Sequence, residues 1–369
     1  MIQFHHPHIP KDLSELEDVL GYTSQNINRN QIATELLSQI VGKPILLTDS
    51  CTTALELAAI LINVIEGDEV IVPAYGFTST ANAFLLRGAK VVFCDIDPMT
   101  LTLDQTLALE LVTEKTRAVV PIHYSGVATD FSILKSRLPD HCHLIEDAAQ
   151  AVGSFRQQKH AGTEGTFGTL SFHSSKIVHC FSGGSLIVND PGFMDQAKEL
   201  IDKGTNRTTT GTPANYTWNC VGTAAALDEL RAAYLVSALD DLNSVIKKRE
   251  LVWTNYFDGL RSIDKSHIQL PIKPNPLESN FHFFYFLTKN NAANSLIHYL
   301  KKQGIEASSH YRALNKTPFG QRIFHSKNST CKHSEFVEKN IVRLPTHPYV
   351  TQESVNKIVY SIKDFFYQG

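Results

Sequence analysis

Residues 44–73 read PILLTDSCTTALELAAILINVIEGDEVIVP, and this stretch decides the fold. Pro44–Thr48 is a short apolar run of the kind that forms a buried strand. From Thr52 to Ile65, the residues Leu55, Leu57, Ala58, Leu61, Ile62 and Ile65 recur at spacings that give a helix with a broad apolar face. Glu69–Pro73 then returns to a β-branched run, so the unit is strand, helix, strand. The alternation continues outward through a helix at Thr78–Leu86 and strands at Val91–Asp95, Ala118–Pro121 and His143–Glu146. Thr169–His173 and Ser185–Asn189 close the sheet. The pattern predicts an α/β fold built on a large, mostly parallel, doubly wound sheet.

Two helices are expected next, at about 192–203 and about 223–258, the second unusually long. The Pro-rich Leu270–Pro276 (LPIKPNP) punctuates the pattern and marks a boundary between a large unit, residues 1–270, and a small α+β unit, residues 271–369. In the small unit the sequence predicts a strand at Phe281–Leu287, a helix from about 291 to 303, a strand near Ile305–Ser308 and a terminal helix after Pro348.

A chain of 369 residues with 43% apolar and 19% charged residues supports a sizeable core and excludes a disordered or peptide-sized binding module. Lys plus Arg number 34 against 37 Asp plus Glu, and this net charge of −3 gives no reason to expect nucleic acid or an anionic membrane as partner. The six cysteines form no C-x-x-C pair, which fits reduced thiols better than a zinc site or a disulfide framework. MIQFHHPHIPKDLSELEDVL has no basic stretch followed by an apolar one, and no apolar run reaches about 18–20 residues, so a cytoplasmic protein without export signal or membrane span is expected. No metal is expected. His5, His6 and His8 read as solvated imidazoles on a mobile terminus beside prolines.

Four segments carry the chemistry. Thr169-Leu-Ser-Phe-His-Ser-Ser-Lys176 runs from an apolar strand into small hydroxyl residues, where a lysine shielded from water would have a lowered pKa and a free amine. A solvated surface lysine is the alternative. His143-Leu-Ile-Glu-Asp-Ala-Ala-Gln places Asp147 at the carboxyl end of a buried strand, where it can hold a pyridinium nitrogen protonated or simply cap a helix. Thr48-Asp-Ser-Cys-Thr-Thr opens a helix with hydroxyl residues and free N–H groups, an anion site that Ser50 and Thr52 would line. Val72-Pro-Ala-Tyr-Gly-Phe places Phe77 where it can lie on a planar ring or join the core.

Together these segments resemble the sugar-nucleotide aminotransferases of the DegT/DnrJ type. The similarity runs from the MI-x-F start through VIVPAYGFTSTANAFLLRGAKVVFCDID, VVPIHYSGVATD, IEDAAQAVGS, LSFHSSK and KGTNR to GIEASSHYRAL and LPTHP. It implies a pyridoxal 5'-phosphate enzyme of the aspartate-aminotransferase (type I) fold. Lys176 would hold the cofactor covalently and shuttle the proton, and Asp147 would pair with the pyridine nitrogen. Gln150 would sit by the ring's O3′ edge, Phe77 would cover the ring, and Ser171 with Ser50, Cys51 and Thr52 would hold the phosphate. Within the family, LLTDSCTTALE, STANAFLLRGAK, HYSGVA, KGTNR and NYTW most resemble the branch that converts dTDP-4-dehydro-6-deoxy-D-glucose and L-glutamate to dTDP-4-amino-4,6-dideoxy-D-galactose for enterobacterial common antigen. His310, Tyr311 and Tyr216 are the implied substrate contacts, and an obligate homodimer with shared sites is implied.

The chain departs from the family at four places. Cys180-Phe-Ser-Gly-Gly stands where a G-E-G-G run is usual, and Ala224 where an asparagine reaches the neighbouring subunit's phosphate; Asn206 or Arg207 are the candidates to replace it. The substrate loop from Gly21 to Asn30 and the His310-Tyr311 motif are also altered. A transaminase acting on another nucleotide-linked keto-sugar or another carbon, and a non-catalytic protein on the same scaffold, are the rival readings. The dehydratase branch of the fold carries histidine in place of the lysine, and Lys176 argues against it.

Overall fold

The computed structural model describes residues 1–21, 28–323 and 330–367. The large sheet contains β1 (Ile45–Thr48), β2 (Glu69–Pro73), β3 (Lys90–Cys94), β4 (Thr116–Val119) and β5 (His143–Asp147). After the two-residue hairpin strands β6 (Phe155–Arg156) and β7 (Lys159–His160), it is completed by β8 (Phe167–Ser171) and β9 (Gly184–Val188). Its order is β1-β9-β8-β5-β4-β2-β3. The pairs from β3 through β2, β4 and β5 to β8 are parallel, while β9 is antiparallel to both β8 and β1. All seven strands predicted from the sequence are present, with ends displaced by at most two residues. Parallel strands need helical crossovers, and the helices Cys51–Leu61 and Thr78–Leu85 supply two of them.

The helix Cys51–Leu61 begins where Ser50 accepts the Thr53 N–H, and its Leu57, Ala58 and Leu61 are buried with Val70, Val72, Phe84 and Val188. Its first turn lies against β9. A Cβ on Gly184 would stand 2.2 Å from the Cys51 nitrogen and 2.4 Å from the Ser50 carbonyl carbon, so no side chain fits there.

The small sheet runs β10 (Ile268–Gln269), β11 (Phe284–Thr288) and β12 (Ile341–Leu344), all antiparallel. Phe284, Phe286, Val342 and Leu344 pack with Trp253, Tyr256 and Leu260, and with Ile358 and Ile362 of the terminal helix Gln352–Tyr367.

Three expectations are corrected. The long helix expected at 223–258 is two helices, Glu229–Asp240 and Leu242–Leu260. Asp228 caps the first by accepting the Arg231 N–H, and the chain turns at Asp241, whose carboxylate bonds His8 Nε2 at 2.8 Å. The strand expected at Ile305–Ser308 is reduced to single bridges, Ile305 to Ile2 and Ser308 to Arg343; the pairing partner of β11 is instead β12, which comes directly after the helix Lys332–Asn340. Finally, the N-terminal segment is held in place: His5 and His6 are exposed, as expected, but make defined contacts, and His8 is buried. Phe4 N bonds Glu306 at 2.8 Å, His8 is buried against Tyr349, His6 packs on the rings of His347 and Tyr349, and His5 Nε2 meets Ser174 O at 3.1 Å. The bridge at Ile2 draws this segment across the molecule. Of the expected substrate loop from Gly21 to Asn30, residues 22–27 lie outside the described residues, and Asn28 to Asn30 cap and begin the helix Arg29–Val41. No helix among the described residues is long and apolar enough to cross a membrane.

Gly184→Ala should push the Ser50–Cys51 turn away from β9 and destabilise the protein by about 1–3 kcal/mol. Denaturant unfolding measures this, and an unchanged midpoint would show that the close approach is not a constraint.

Candidate active site

In a parallel sheet the loops and helix starts beyond the carboxyl ends of the strands gather along one edge. Asp147 ends β5, Ser171 ends β8, and Phe77 precedes the helix after β2. Between them lies a cavity of about 530 Å³. Ten of the predicted site residues line it: Ser50, Cys51, Thr52, Phe77, Asp147, Gln150, Ser171, Lys176, His310 and Tyr311.

Lys176 sits on the loop from β8 to β9. The loop is closed on itself by Phe172 N to Gly183 O (2.8 Å), Ser174 N to Phe181 O (2.9 Å) and Cys180 N to Phe172 O (3.0 Å). Phe181 takes a left-handed φ of 66° and packs on Tyr234 at 4.9 Å. Burial lowers the Lys176 pKa, and the nearby Cys51 and Asp147 oppose that shift only in part. Burial also pushes the Cys51 thiol up to about 12, so it stays protonated.

The Asp147 carboxylate is buried, and each of its oxygens is held: Oδ2 accepts from Thr80 Oγ1 at 2.7 Å and Oδ1 from Ala149 N at 3.1 Å. Gln150 accepts the Ser125 N–H at 2.8 Å and donates to the Tyr311 hydroxyl at 2.9 Å. His310 stacks on Tyr311 at 3.7 Å and bonds the Tyr124 hydroxyl through Nδ1 at 2.7 Å. Burial, with Arg343 and Lys176 nearby, holds the His310 pKa well below the usual histidine range. Phe77, by contrast, is 57% exposed and presents its ring to the opening.

Three predicted residues do not reach the cavity of this chain. Arg207 pairs with Asp202 (Nε to Oδ2, 3.0 Å), Asn206 bonds Thr210 and Thr217, and Tyr216 is exposed. Ala224 lies in the same irregular segment, bridged to Asp202. Sequence reading also missed residues that the cavity gathers, notably Thr80, His282, Arg249 and Arg343. Thr80 lies in the TSTANAF run, three residues after Phe77, and its position in the first helical turn was the available signal. Arg249 lies in a segment expected to be plain helix and Arg343 in one for which no element was expected, and nothing local marks them.

The family model described as the DegT/DnrJ/EryC1/StrS aminotransferase family matches residues 22–363. The chain belongs to this family. It is 30% identical over 317 residues to a pleiotropic regulatory protein of Geobacillus stearothermophilus, covering 85% of this chain and 82% of that protein. It is 26% identical over 367 residues to the spore coat polysaccharide biosynthesis protein SpsC of Bacillus subtilis, covering 96% and 94%. Among solved structures, Helicobacter pylori PseC, an aminotransferase involved in the biosynthesis of pseudoaminic acid, superposes with a TM-score of 0.90 at 22% identity over the full length of both chains.

As a DegT/DnrJ/EryC1/StrS aminotransferase the protein uses pyridoxal 5'-phosphate and has the type I fold. The cavity's own chemistry fits that cofactor. Ser50 Oγ satisfies Thr53 N, leaving the Cys51 and Thr52 N–H groups at the helix start to face an anion beside Ser171. A shielded amine and a buried carboxylate face the same space.

Because the Lys176 pKa is lowered, its amine loses its proton at a lower pH than exposed lysines do. In cofactor-free protein, acylation of Lys176 followed by mass spectrometry should reach half its maximal rate at lower pH than the surface lysines, whereas coincident profiles would contradict the shielding. Thr80→Val removes one donor from Asp147 and should slow amino transfer by roughly 10-fold with cofactor still bound. An unchanged rate would make that hydrogen bond incidental.

Proposed function

We propose that the protein transfers the amino group of L-glutamate to a nucleotide-linked keto-sugar, with dTDP-4-dehydro-6-deoxy-D-glucose as the preferred acceptor and dTDP-4-amino-4,6-dideoxy-D-galactose as product. The observation that carries this reading is the convergence of Lys176, Asp147 and the Ser50–Thr52 helix start on one cavity. The roles of the Bacillus relative in spore coat polysaccharide biosynthesis and of the Helicobacter aminotransferase in pseudoaminic acid biosynthesis support a sugar acceptor.

When bound, pyridoxal phosphate supplies an electron sink for the negative charge left on a substrate carbon. The protein's residues do the rest. Lys176 Nζ removes the proton from the donor's α-carbon and later delivers one to the sugar carbon that receives nitrogen. Its lowered pKa makes the amine a readier base than an exposed lysine. Asp147 would keep a proton on the pyridine nitrogen, a task for which its carboxylate is fixed by Thr80 and Ala149. Ser50, Cys51, Thr52 and Ser171 would hold the phosphate, Phe77 would cover the ring and Gln150 would meet its O3′ edge. His310, Tyr311 and Tyr216 contact substrate.

The assembly we propose is a homodimer whose neighbouring subunit brings Asn206 and Arg207 to the phosphate. The segment bearing them also exposes Trp218 (77%) and Val221 (83%), as a surface awaiting a partner would. The product of such an enzyme would enter a bacterial surface polysaccharide, and the reaction would take place in the cytoplasm.

Purified protein, L-glutamate and a panel of dTDP- and UDP-linked keto-sugars should yield an amino-sugar nucleotide, identified by mass spectrometry and NMR. No amino sugar from any acceptor would overturn the reading. Asp147→Asn should retain cofactor yet lower turnover by orders of magnitude, because an amide cannot hold the ring proton. Near-normal turnover would make Asp147 structural. Mixing inactive Lys176→Ala with inactive Arg207→Ala protein should recover activity through hybrid dimers, and no rescue despite proven subunit exchange would refute the shared site.

A further inference from the structure

A second cavity, of about 470 Å³, lies between the loops that follow β3 and β4 and the small unit, and it shares no lining residue with the catalytic one. Tyr285 of β11 and Trp253 of the helix Leu242–Leu260 line it and are buried, while Met99, Ile133 and Ile272, each about half exposed, give it an apolar rim. Two polar side chains on its wall have no partner. Tyr285 is 5% exposed and Ser125 8%, yet neither hydroxyl makes a hydrogen bond among the described residues. A buried hydroxyl left unbonded costs free energy, which a bound ligand would relieve. Burial, and next the nearby Asp97, raise the Tyr285 pKa, so the phenol stays neutral and offers its oxygen as an acceptor.

The charges on the wall decide the kind of ligand. Four carboxylates line this cavity, those of Asp97, Asp104, Asp130 and Glu278, against the two cations Arg156 and Lys273. Arg156 is already committed, to Asp130 at 3.1 Å and to Glu278 at 3.2 Å. Lys273 Nζ rests over the Phe257 ring, 5.6 Å from its centroid. Asp97 and Asp104 each use Oδ1 to cap a local turn, Asp97 accepting from Met99 N and Thr100 N, both at 2.8 Å, and Asp104 from Thr106 N at 2.9 Å and Leu107 N at 3.1 Å. Their Oδ2 atoms have no partner among the described residues. An anion would therefore meet two uncompensated carboxylates, whereas a cation would be attracted by them and could donate to both free hydroxyls. We infer that this cavity is a second ligand site, for a small organic ammonium ion whose nitrogen faces Asp97, Asp104, Ser125 and Tyr285 and whose apolar body lies against Trp253 and the rim. Nucleotides and free phosphate are excluded by the same charges, so the site is separate from that of the substrates.

The test is calorimetric titration of the cofactor-loaded protein with N,N-dimethyl-2-phenylethylamine, a tertiary amine that is protonated near neutral pH and forms no imine with pyridoxal phosphate. Its neutral and anionic counterparts, 2-phenylethanol and 3-phenylpropanoate, are titrated beside it. The amine should bind at one site, at least ~10-fold more tightly than either counterpart. Asp97→Asn, which keeps an Oδ1 acceptor for the turn and removes the charge, should weaken it by about 10-fold, and Tyr285→Phe, which removes only the hydroxyl, by about 5-fold. Asp147 is the one carboxylate lining the catalytic cavity among the described residues, so an amine lodged there would depend on it. Asp147→Asn should leave the affinity within about 2-fold of the unaltered protein. No saturable binding of the amine, equal or tighter binding of either counterpart, undiminished binding in Asp97→Asn or in Tyr285→Phe, or a loss in Asp147→Asn would each overturn the assignment. Should Asp97→Asn fail to fold, Tyr285→Phe decides in its place.

Discussion

The hydroxyl of Thr80 donates to the carboxylate of Asp147 across 2.7 Å, and that bond links the ends of two parallel strands that are not sheet neighbours. Thr80 belongs to the helix after β2, and Asp147 closes β5, with β4 between them. A buried carboxylate is tolerated only when its oxygens are satisfied. Here the satisfying groups come from the helix start and from the chain just beyond the strand, so the charge is fixed in position and kept facing the cavity. The other functional groups are arranged around it: Lys176 on the loop after β8, the helix start at Ser50 beside β9, and Gln150 one turn beyond Asp147.

How the charge is distributed depends on the same geometry. The sheet edge contributes one acid and one amine, while the small sheet contributes Arg343 and the segments around it contribute His282, His310 and His347. Burial lowers the pKa of each of these three histidines, so they sit in the wall as neutral dipoles and leave the lasting positive charge to the two arginines. The N-terminal segment completes this wall. Phe4 lies under the Arg343 guanidinium, and His5 reaches the loop that carries Lys176. Residues from the beginning and end of the chain thus meet residues from its middle around one anionic ligand space.

Much of this was legible in the sequence, for identifiable reasons. The strands of the large sheet are buried on both faces and read as continuous apolar runs, which period and composition reveal. The ten residues that reach the cavity lie directly at strand ends or in recognisable motifs, where local order and spatial position coincide. What failed were features decided by distant partners. The turn at Asp241 is answered by His8, the strand at Ile341–Leu344 is defined by its pairing with β11, and the N-terminal histidines are ordered by residues more than 160 positions away. Arg343 occupies a strand position where periodicity asks only for alternation, and its environment of Phe4 and Phe283 exists only after folding. Asn206, Arg207 and Tyr216 lie apart from the cavity of their own chain because the segment from Asp202 to Ala224 folds on itself through short bridges.

The central claim is that the Lys176 amine is the point of covalent attachment for pyridoxal phosphate. Borohydride reduction of the cofactor-loaded protein, with proteolysis and mass spectrometry of the products, tests it most directly. The account predicts the reduced pyridoxyl mass on the peptide containing Lys176 and on no other lysine peptide. The same mass on a different lysine, or none on any peptide after the visible cofactor band has been bleached, would contradict it.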